Sequence, residues 1–328
     1  MKGEIALTQG TREGVTEQGL LRDIYPVLSD RIRSFLTRIP NEHLLDTEEI
    51  RLRAERPIMV NEGGEDYFIN AAGKQKNMCA GCMIIERLDI ERTLQYMSDY
   101  SIYTLEDELR QGFLTLKGGH RVGLVGRVVP EHQGIRTIKN ISGMNIRIAR
   151  EVKDCALELS LELYGQGIKH TLIASPPGCG KTTMLRDMVR LLSYGIGGTC
   201  IKGYKVGVVD ERSEIGGCYL GIPQRDLGPR TDVLDACPKA AGIGLLIRSM
   251  GPDVIAVDEI GSLKDSEAVE EAIYSGVTIL ATAHGSNMDE LLKKPGISNL
   301  MEKKAFERIV ILSRARGPGT VASILKLD

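Results

Sequence analysis

The sequence predicts an α/β protein. A domain built on a parallel sheet is expected over residues 151–328, a smaller α+β domain over residues 21–150, and a flexible polar leader over residues 1–20. Three observations lead there. The stretch "SPPGCGKTTM" (175–184) joins an apolar run to a helical one. Three further apolar runs, "KVGVVDE" (205–211), "DVIAVDE" (253–259) and "VTILATAH" (277–284), each end in a polar residue. Strands buried on both faces read this way. The first half differs: "EIRLRAE" and "NIRIARE" alternate apolar and charged residues, as half-buried strands do.

Taken in order, residues 20–40 place Leu21, Ile24, Leu28, Ile32, Phe35 and Leu36 on one stripe, which predicts a helix ended by Pro40. Ile50, Leu52 and Ala54 alternate with Arg51, Arg53 and Glu55 in the strand that follows, and "NEGG" (61–64) reads as a hairpin turn. Helices are expected at "LDIERTLQYMSD" and around "YTLEDELRQG". "GFLTLKGGHRVGLVGRVV" reads as two strands across a Gly-Gly turn, and "MNIRIARE" as a further strand. "EVKDCALELSLELYGQGIKH" reads as a connecting helix, "HTLIAS" (170–175) as a short buried strand and "GKTTMLRDMVRLLSYG" as a helix. No internal repeat and no low-complexity tract is evident.

Composition narrows the class. The chain has 328 residues, 42% hydrophobic and 26% charged, with a formal net charge of −2. That balance gives no global attraction to nucleic acid or anionic lipid. No apolar run approaches the roughly 18–20 residues of a spanning helix, and the first residues lack the apolar core of a secretory signal. A cytoplasmic location is expected. The seven cysteines are scattered, as reduced thiols are. Cys79 and Cys82 form a C-x-x-C, but His120 and His132 are distant and the other cysteines (155, 179, 200, 218, 237) are single. A reduced pair near a loop is the plainer reading than metal or redox chemistry.

The phosphate-binding motif is off pattern at its head. Ser175 stands where G-x-x-x-x-G-K-[ST] wants glycine. Serine is only slightly larger, so the loop Ser175, Pro176, Pro177, Gly178, Cys179, Gly180, Lys181, Thr182 and Thr183 is still expected to cradle phosphates. Lys181 would reach the β and γ phosphates, and Thr182 would bind Mg²⁺. Asp258 and Glu259 follow a second apolar strand. Such an aspartate can hold Mg²⁺, and the glutamate beside it can orient or deprotonate water. The alternative is an acidic strand end that only caps the next helix. Asp210, Glu211 and Arg212 end another strand and could position water or Mg²⁺, or form a solvated loop. His284 could contact the γ-phosphate or a neighbouring subunit, or be structural. "SLKD" (262–265) is not a guanine-reading element, so ATP is favoured over GTP.

The segment from Arg248 to His284 resembles the secretion-ATPase superfamily, the hexameric motors of type II and type IV secretion and of pili. The resemblance is carried by Arg248, Pro252-Asp253, Glu259, Ser275-Gly276 and Thr282-Ala283-His284, with Asp210-Glu211 in the place of that superfamily's acidic box. It implies a RecA-like P-loop NTPase motor domain with a smaller α+β N-terminal domain. Ser275 stands where alanine is usual. Gly261 stands where those motors commonly carry an arginine, so no arginine function is carried over there. Together with "EIRLRAERPI" and "NIRIARE", the motifs resemble the sporulation branch of the superfamily, from about residue 20 to the end.

That resemblance implies an Mg²⁺-dependent ATPase, a homo-hexamer, working in the mother cell of an endospore former with membrane proteins of a secretion-like channel. Association with the membrane would be peripheral, through those partners. It also implies that an arginine of the N-terminal domain completes the site, the candidates being Arg121, Arg127, Arg147 and Arg150. Arginines alternating along a strand are also a common solvated face. Two other readings stay open: a nucleic-acid motor of the same core, which the net charge and the 4% aromatic content disfavour, and an ATP-gated scaffold with little turnover.

Overall fold

A computed structural model describes residues 12–13, 20–40, 43–44, 46–78, 80–99, 106–131 and 134–327. Most of the expected leader, Cys79 and His132 lie outside these. The chain divides into two units, Glu13–Arg150 and Glu151–Asp328 together with the segment that ends at Arg12.

The first unit is a seven-stranded antiparallel sheet. Its order is Gly73–Gln75, Glu65–Asn70, Met59–Glu62, Glu49–Arg53, Gly134–Arg147, Arg121–Glu131 and Phe113–Thr115. Register explains its two faces. Ile50 pairs with Ile146, and Ile146 with Val122, so these three form one buried row. One residue further on, Glu49, Arg147 and Arg121 form a row on the opposite face, as period-2 alternation requires. The buried face packs with the helix Arg87–Met97 and with Ile24, Leu28, Ile32 and Leu36.

Those last four carry the expected stripe, but not on one helix. The chain makes a wide turn over Leu20–Ile24 and a 3₁₀ turn over Tyr25–Val27, then extends at Leu28 and enters the α-helix Asp30–Leu36. Pro26 has no N–H to continue an α-helix. The hydroxyl of Ser29 then caps a fresh start, accepting from the Ile32 N–H at 3.3 Å and donating to the buried Asp89 at 2.8 Å. The strand expected at "MNIRIARE" begins earlier, at Gly134.

The second unit is a seven-stranded sheet in the order Thr231–Asp235, Val206–Asp210, Val254–Val257, Thr278–His284, Thr171–Ser175, Arg308–Ser313 and Thr320–Lys326. Only the last strand is antiparallel. Helices Leu157–Tyr164 and Lys181–Tyr194 cover one face, over Ile173, Val208, Ala256 and Val310. Helices Lys239–Ser249, Leu263–Tyr274 and Pro295–Glu302 cover the other, over Leu172, Val209, Ile255 and Ile309. Burial on both faces is why the strands read as continuous apolar runs. The carboxyl ends of the parallel strands lie along one edge, where α/β sheets bind ligands. The strands at 231–235, 308–313 and 320–326 had no counterpart in the sequence reading.

Candidate nucleotide site

The phosphate loop follows the fully buried strand Thr171–Ser175 and enters the helix at Lys181. Gly178 and Gly180 hold left-handed backbone at φ +70° and +83°. At Gly180 a side chain would meet the backbone N of Gly319 at 3.2 Å, so both conformation and space favour glycine. Ser175 is accommodated without crowding. It is fully buried, its hydroxyl folds back to donate to the Pro176 carbonyl at 2.8 Å, and its own carbonyl accepts from the Gly285 N–H. Cys179 is buried beneath the loop, and Pro176 and Pro177 bring no N–H. Thr183 sits in the first helical turn, where its carbonyl faces the Cys155 thiol. The amides of that turn have no intrahelical acceptor and point toward an incoming anion.

Sheet order brings four further side chains to Lys181 and Thr182. The strand Thr278–His284 lies between the phosphate strand and the strand Val254–Val257. Register sets Ser175 beside His284 and Val257 beside Ala281, so Asp258 falls next to Thr282. The Thr182 hydroxyl donates to Asp258 Oδ2 at 2.8 Å, and the Thr282 hydroxyl donates to Asp258 Oδ1. Thr282 Oγ1 also accepts from the Glu259 N–H at 2.9 Å, and its carbonyl accepts from Ile260. This brace holds Glu259 in left-handed backbone at φ +55°, which costs a non-glycine residue free energy and clusters at working sites. Glu259 is thereby turned toward Lys181. Lys181 Nζ donates to Glu259 Oε1 at 3.3 Å, His284 Nε2 lies 2.8 Å from the same oxygen, and Arg212 donates to Oε2 at 3.0 Å. Burial pushes the Glu259 carboxyl up, but Lys181, His284 and Arg212 outweigh it and hold the group below the usual range. The sequence places Thr282 in the Thr282-Ala283-His284 segment but assigns a site role only to His284. The signal was there, since Thr282 and His284 alternate onto one face of a strand.

The second acidic pair is placed differently. Asp210 is buried and accepts the N–H groups of Glu214, Ile215 and Gly216 at 2.8–2.9 Å. Burial raises its carboxyl to about 6 against those three donors. Glu211 turns to Lys239. Arg186, on the phosphate-loop helix, donates to the carbonyls of Glu214 and Ile215 and ties this loop to that helix. Of the N-terminal candidates, Arg121 lies over the Phe113 ring at 3.7 Å and Arg147 pairs with Glu49 at 3.2 Å. Arg150 donates to the Thr47 carbonyl, and Arg127 is exposed. Cys82 is half-buried.

The residues present suit a triphosphate and a hard divalent cation. The loop offers N–H groups and Lys181 to phosphate, and Thr182 and Asp258 place two oxygen donors side by side, the ligand type Mg²⁺ prefers. Glu259 lies beyond them on the same edge as a carboxylate that can accept a proton.

These features define a class before they define a family. The chain resembles the X-ray structure of the Legionella pneumophila ATPase DotB, with a TM-score of 0.53 and 15% identity over 86% of this chain and 75% of that one. It likewise resembles the pilus retraction motor PilT solved with bound ADP, with a TM-score of 0.56 and 15% identity over 86% and 76%. The fold is therefore the RecA-like P-loop fold of secretion and pilus ATPases. Within it, the model of the family "Sporulation stage III, protein AA" matches residues 19–327. Stage III sporulation protein AA of Bacillus subtilis (strain 168) is 44% identical over 308 residues, 94% of this chain and 96% of that one. The chain belongs to the sporulation stage III protein AA family.

Proposed function

We propose that the protein is an Mg²⁺-dependent ATP hydrolase that works as a ring motor in sporulation. The observation that carries this reading is one constellation: Lys181, Thr182, Asp258, Glu259 and His284 on a single sheet edge around a glycine loop. Lys181 and the loop amides bind the phosphates, and Thr182 with Asp258 holds the cation. When bound, Mg²⁺ would neutralise charge between the β and γ phosphates. Glu259 accepts the proton of the attacking water, and His284 and Arg212 keep it ionised and oriented. An arginine of the first unit supplies positive charge to the transition state. Arg127 and Arg147 are the exposed candidates; Arg147 pairs with Glu49, and Arg121 and Arg150 engage Phe113 and Thr47.

The ring is a homo-hexamer in the mother-cell cytoplasm, peripheral to the membrane, and its turnover energises or assembles a channel toward the forespore. The membership of the sporulation family and the fold shared with DotB and PilT support that setting. Among the described residues no helix is long and apolar enough to cross a membrane, which fits work through membrane partners. One observation favours a second reading, a nucleotide-gated scaffold: the cations around Glu259 make it a weak base. Steady-state phosphate release separates the two. The motor reading expects Mg²⁺-dependent turnover that Glu259→Gln removes, with particle mass by light scattering rising when ATP is added. Turnover in Glu259→Gln equal to the parent's would remove Glu259 from the chemistry.

A further inference from the structure

The phosphate strand has two neighbours, and only one has a role so far. On one side, Thr278–His284 delivers His284 beside Ser175. On the other, Arg308–Ser313 runs parallel to it and ends level with the same loop. The chain then turns through "RARGPG" (314–319) and returns as Thr320–Lys326.

That turn is seated on the phosphate loop. The Gly319 N–H donates to the Cys179 carbonyl at 2.8 Å, and a side chain at Gly180 would meet Gly319 and Pro318 at 3.2 and 3.5 Å. A side chain at Gly178 would begin 3.6 Å from Nη1 of Arg314. Arg314 is exposed, and its guanidinium has no hydrogen-bond or ion-pair partner among the described residues. Most arginines around the site are committed: Arg186 to two carbonyls, Arg190 to Asp187 and Asp154, Arg212 to Glu259.

The direction of the bound nucleotide follows from the site's polarity. Asp258, Glu259 and His284 lie on the Thr278–His284 side, so the γ-phosphate end must face that side. The nucleoside end then leaves across the opposite flank, over the end of Arg308–Ser313. We infer that the Arg314–Gly319 turn is the nucleoside-side wall of the site, and that the Arg314 fork binds the α- and β-phosphate oxygens. This inference rests on the ATPase reading and adds to it a residue that grips ADP and ATP alike. A contact already made in the ground state, to ADP as to ATP, changes binding more than it changes kcat.

The test is titration of the full chain with ADP and with ATP in Mg²⁺, for the parent, Arg314→Ala and Arg314→Lys, with kcat measured at saturating ATP. Arg314→Ala is expected to weaken both nucleotides by about tenfold, the effect of one lost charge-assisted contact. Arg314→Lys, which keeps the charge and loses the fork, is expected to fall between. The nucleotide-free Tm should match the parent's, and any fall in kcat at saturating ATP should be smaller than the loss of affinity. Parent-like ADP affinity in Arg314→Ala overturns the inference, as does a loss confined to ATP or a fall in kcat larger than the loss of affinity. If the parent binds neither nucleotide, the ATPase reading falls and this inference with it. If the parent binds both nucleotides and the variants bind them equally well, this inference falls alone.

Discussion

Two Asp-Glu pairs, each following an apolar strand, meet different fates in this molecule. "VVDE" ends at Asp210-Glu211 and "AVDE" at Asp258-Glu259. Asp258 meets the hydroxyls of Thr182 and Thr282, and Glu259 faces Lys181, His284 and Arg212. Asp210 is spent on its own loop, capping three N–H groups, and Glu211 pairs with Lys239. Sheet order accounts for the difference. The strand before Asp258 stands two places from the phosphate strand, and the strand before Asp210 stands three. At the usual spacing between strands that is roughly 10 Å against roughly 14 Å. The nearer pair is within side-chain reach of Lys181. The farther pair acts through the backbone it organises, and Arg212, two residues past Asp210, is the part that reaches Glu259.

The largest effect that can break this comparison is on turnover. Glu259→Gln is expected to lower kcat by roughly a hundredfold or more, the scale of a lost general base, with ATP binding retained because Lys181 and the loop are untouched. Phosphate release in single and multiple turnovers checks it. If Asp210 and Glu211 were instead the working pair, the loss would be small here and large there.

Stability should show the reverse preference. Asp210→Ala strands three N–H groups in the interior. Unpaired buried donors cost about 1–3 kcal/mol each before any water enters, so a net loss of about 3 kcal/mol in urea unfolding is expected. The matching loss in Glu259→Gln should be well below that, since Glu259 is only partly buried. An Asp210→Ala protein as stable as the parent would mean that its loop finds other acceptors.

Much of this was legible in the sequence, and what was not has physical causes. The phosphate loop could be read because glycine, lysine and threonine at fixed spacing follow an apolar strand into a helix. The paired carboxylates could be read as strand ends. The resemblance ranks Asp258-Glu259 first, but what Asp210 and Glu211 do instead could not be read, because both dipeptides look alike locally and strand order separates them. Arg314 depends on the same missing fact: which strand flanks Thr171–Ser175 on the side away from Thr278–His284. In the first unit, alternation gave the faces, but the row Glu49, Arg147 and Arg121 needs register across three strands. The single helix expected over residues 20–40 missed the break at Pro26, because the apolar stripe runs through it unbroken: Leu28 stays buried while extended.

The pairs should also titrate with opposite sign. Asp210 is held up at about 6, above its unfolded value near 4. Its contribution to stability is present below about pH 4 and is lost as pH rises through 6. Glu259 is held below its ordinary value, so its contribution is present above the unfolded value and is lost as pH falls through the folded one. Unfolding free energies of the parent relative to Asp210→Ala, taken from pH 4 to 7, should therefore shrink with rising pH. The same difference taken against Glu259→Gln should shrink with falling pH, below about 4.5. Curves of the same slope would show that burial does not dominate at Asp210.

The smallest effect is the one that isolates Glu211. Its carboxylate is partly exposed and pairs with Lys239, whose ammonium is mostly covered. An ion pair with one open partner contributes about 0–1 kcal/mol. Glu211→Gln keeps the shape and can still accept from Lys239. Turnover within about threefold of the parent and a stability loss within about 1 kcal/mol are expected. The same assay that reads Glu259→Gln reads this variant, so the two glutamates are ranked on one scale. A turnover loss in Glu211→Gln approaching that of Glu259→Gln would mean that the loop after Asp210 closes on the phosphates during the reaction, carrying Glu211 in along with Arg212.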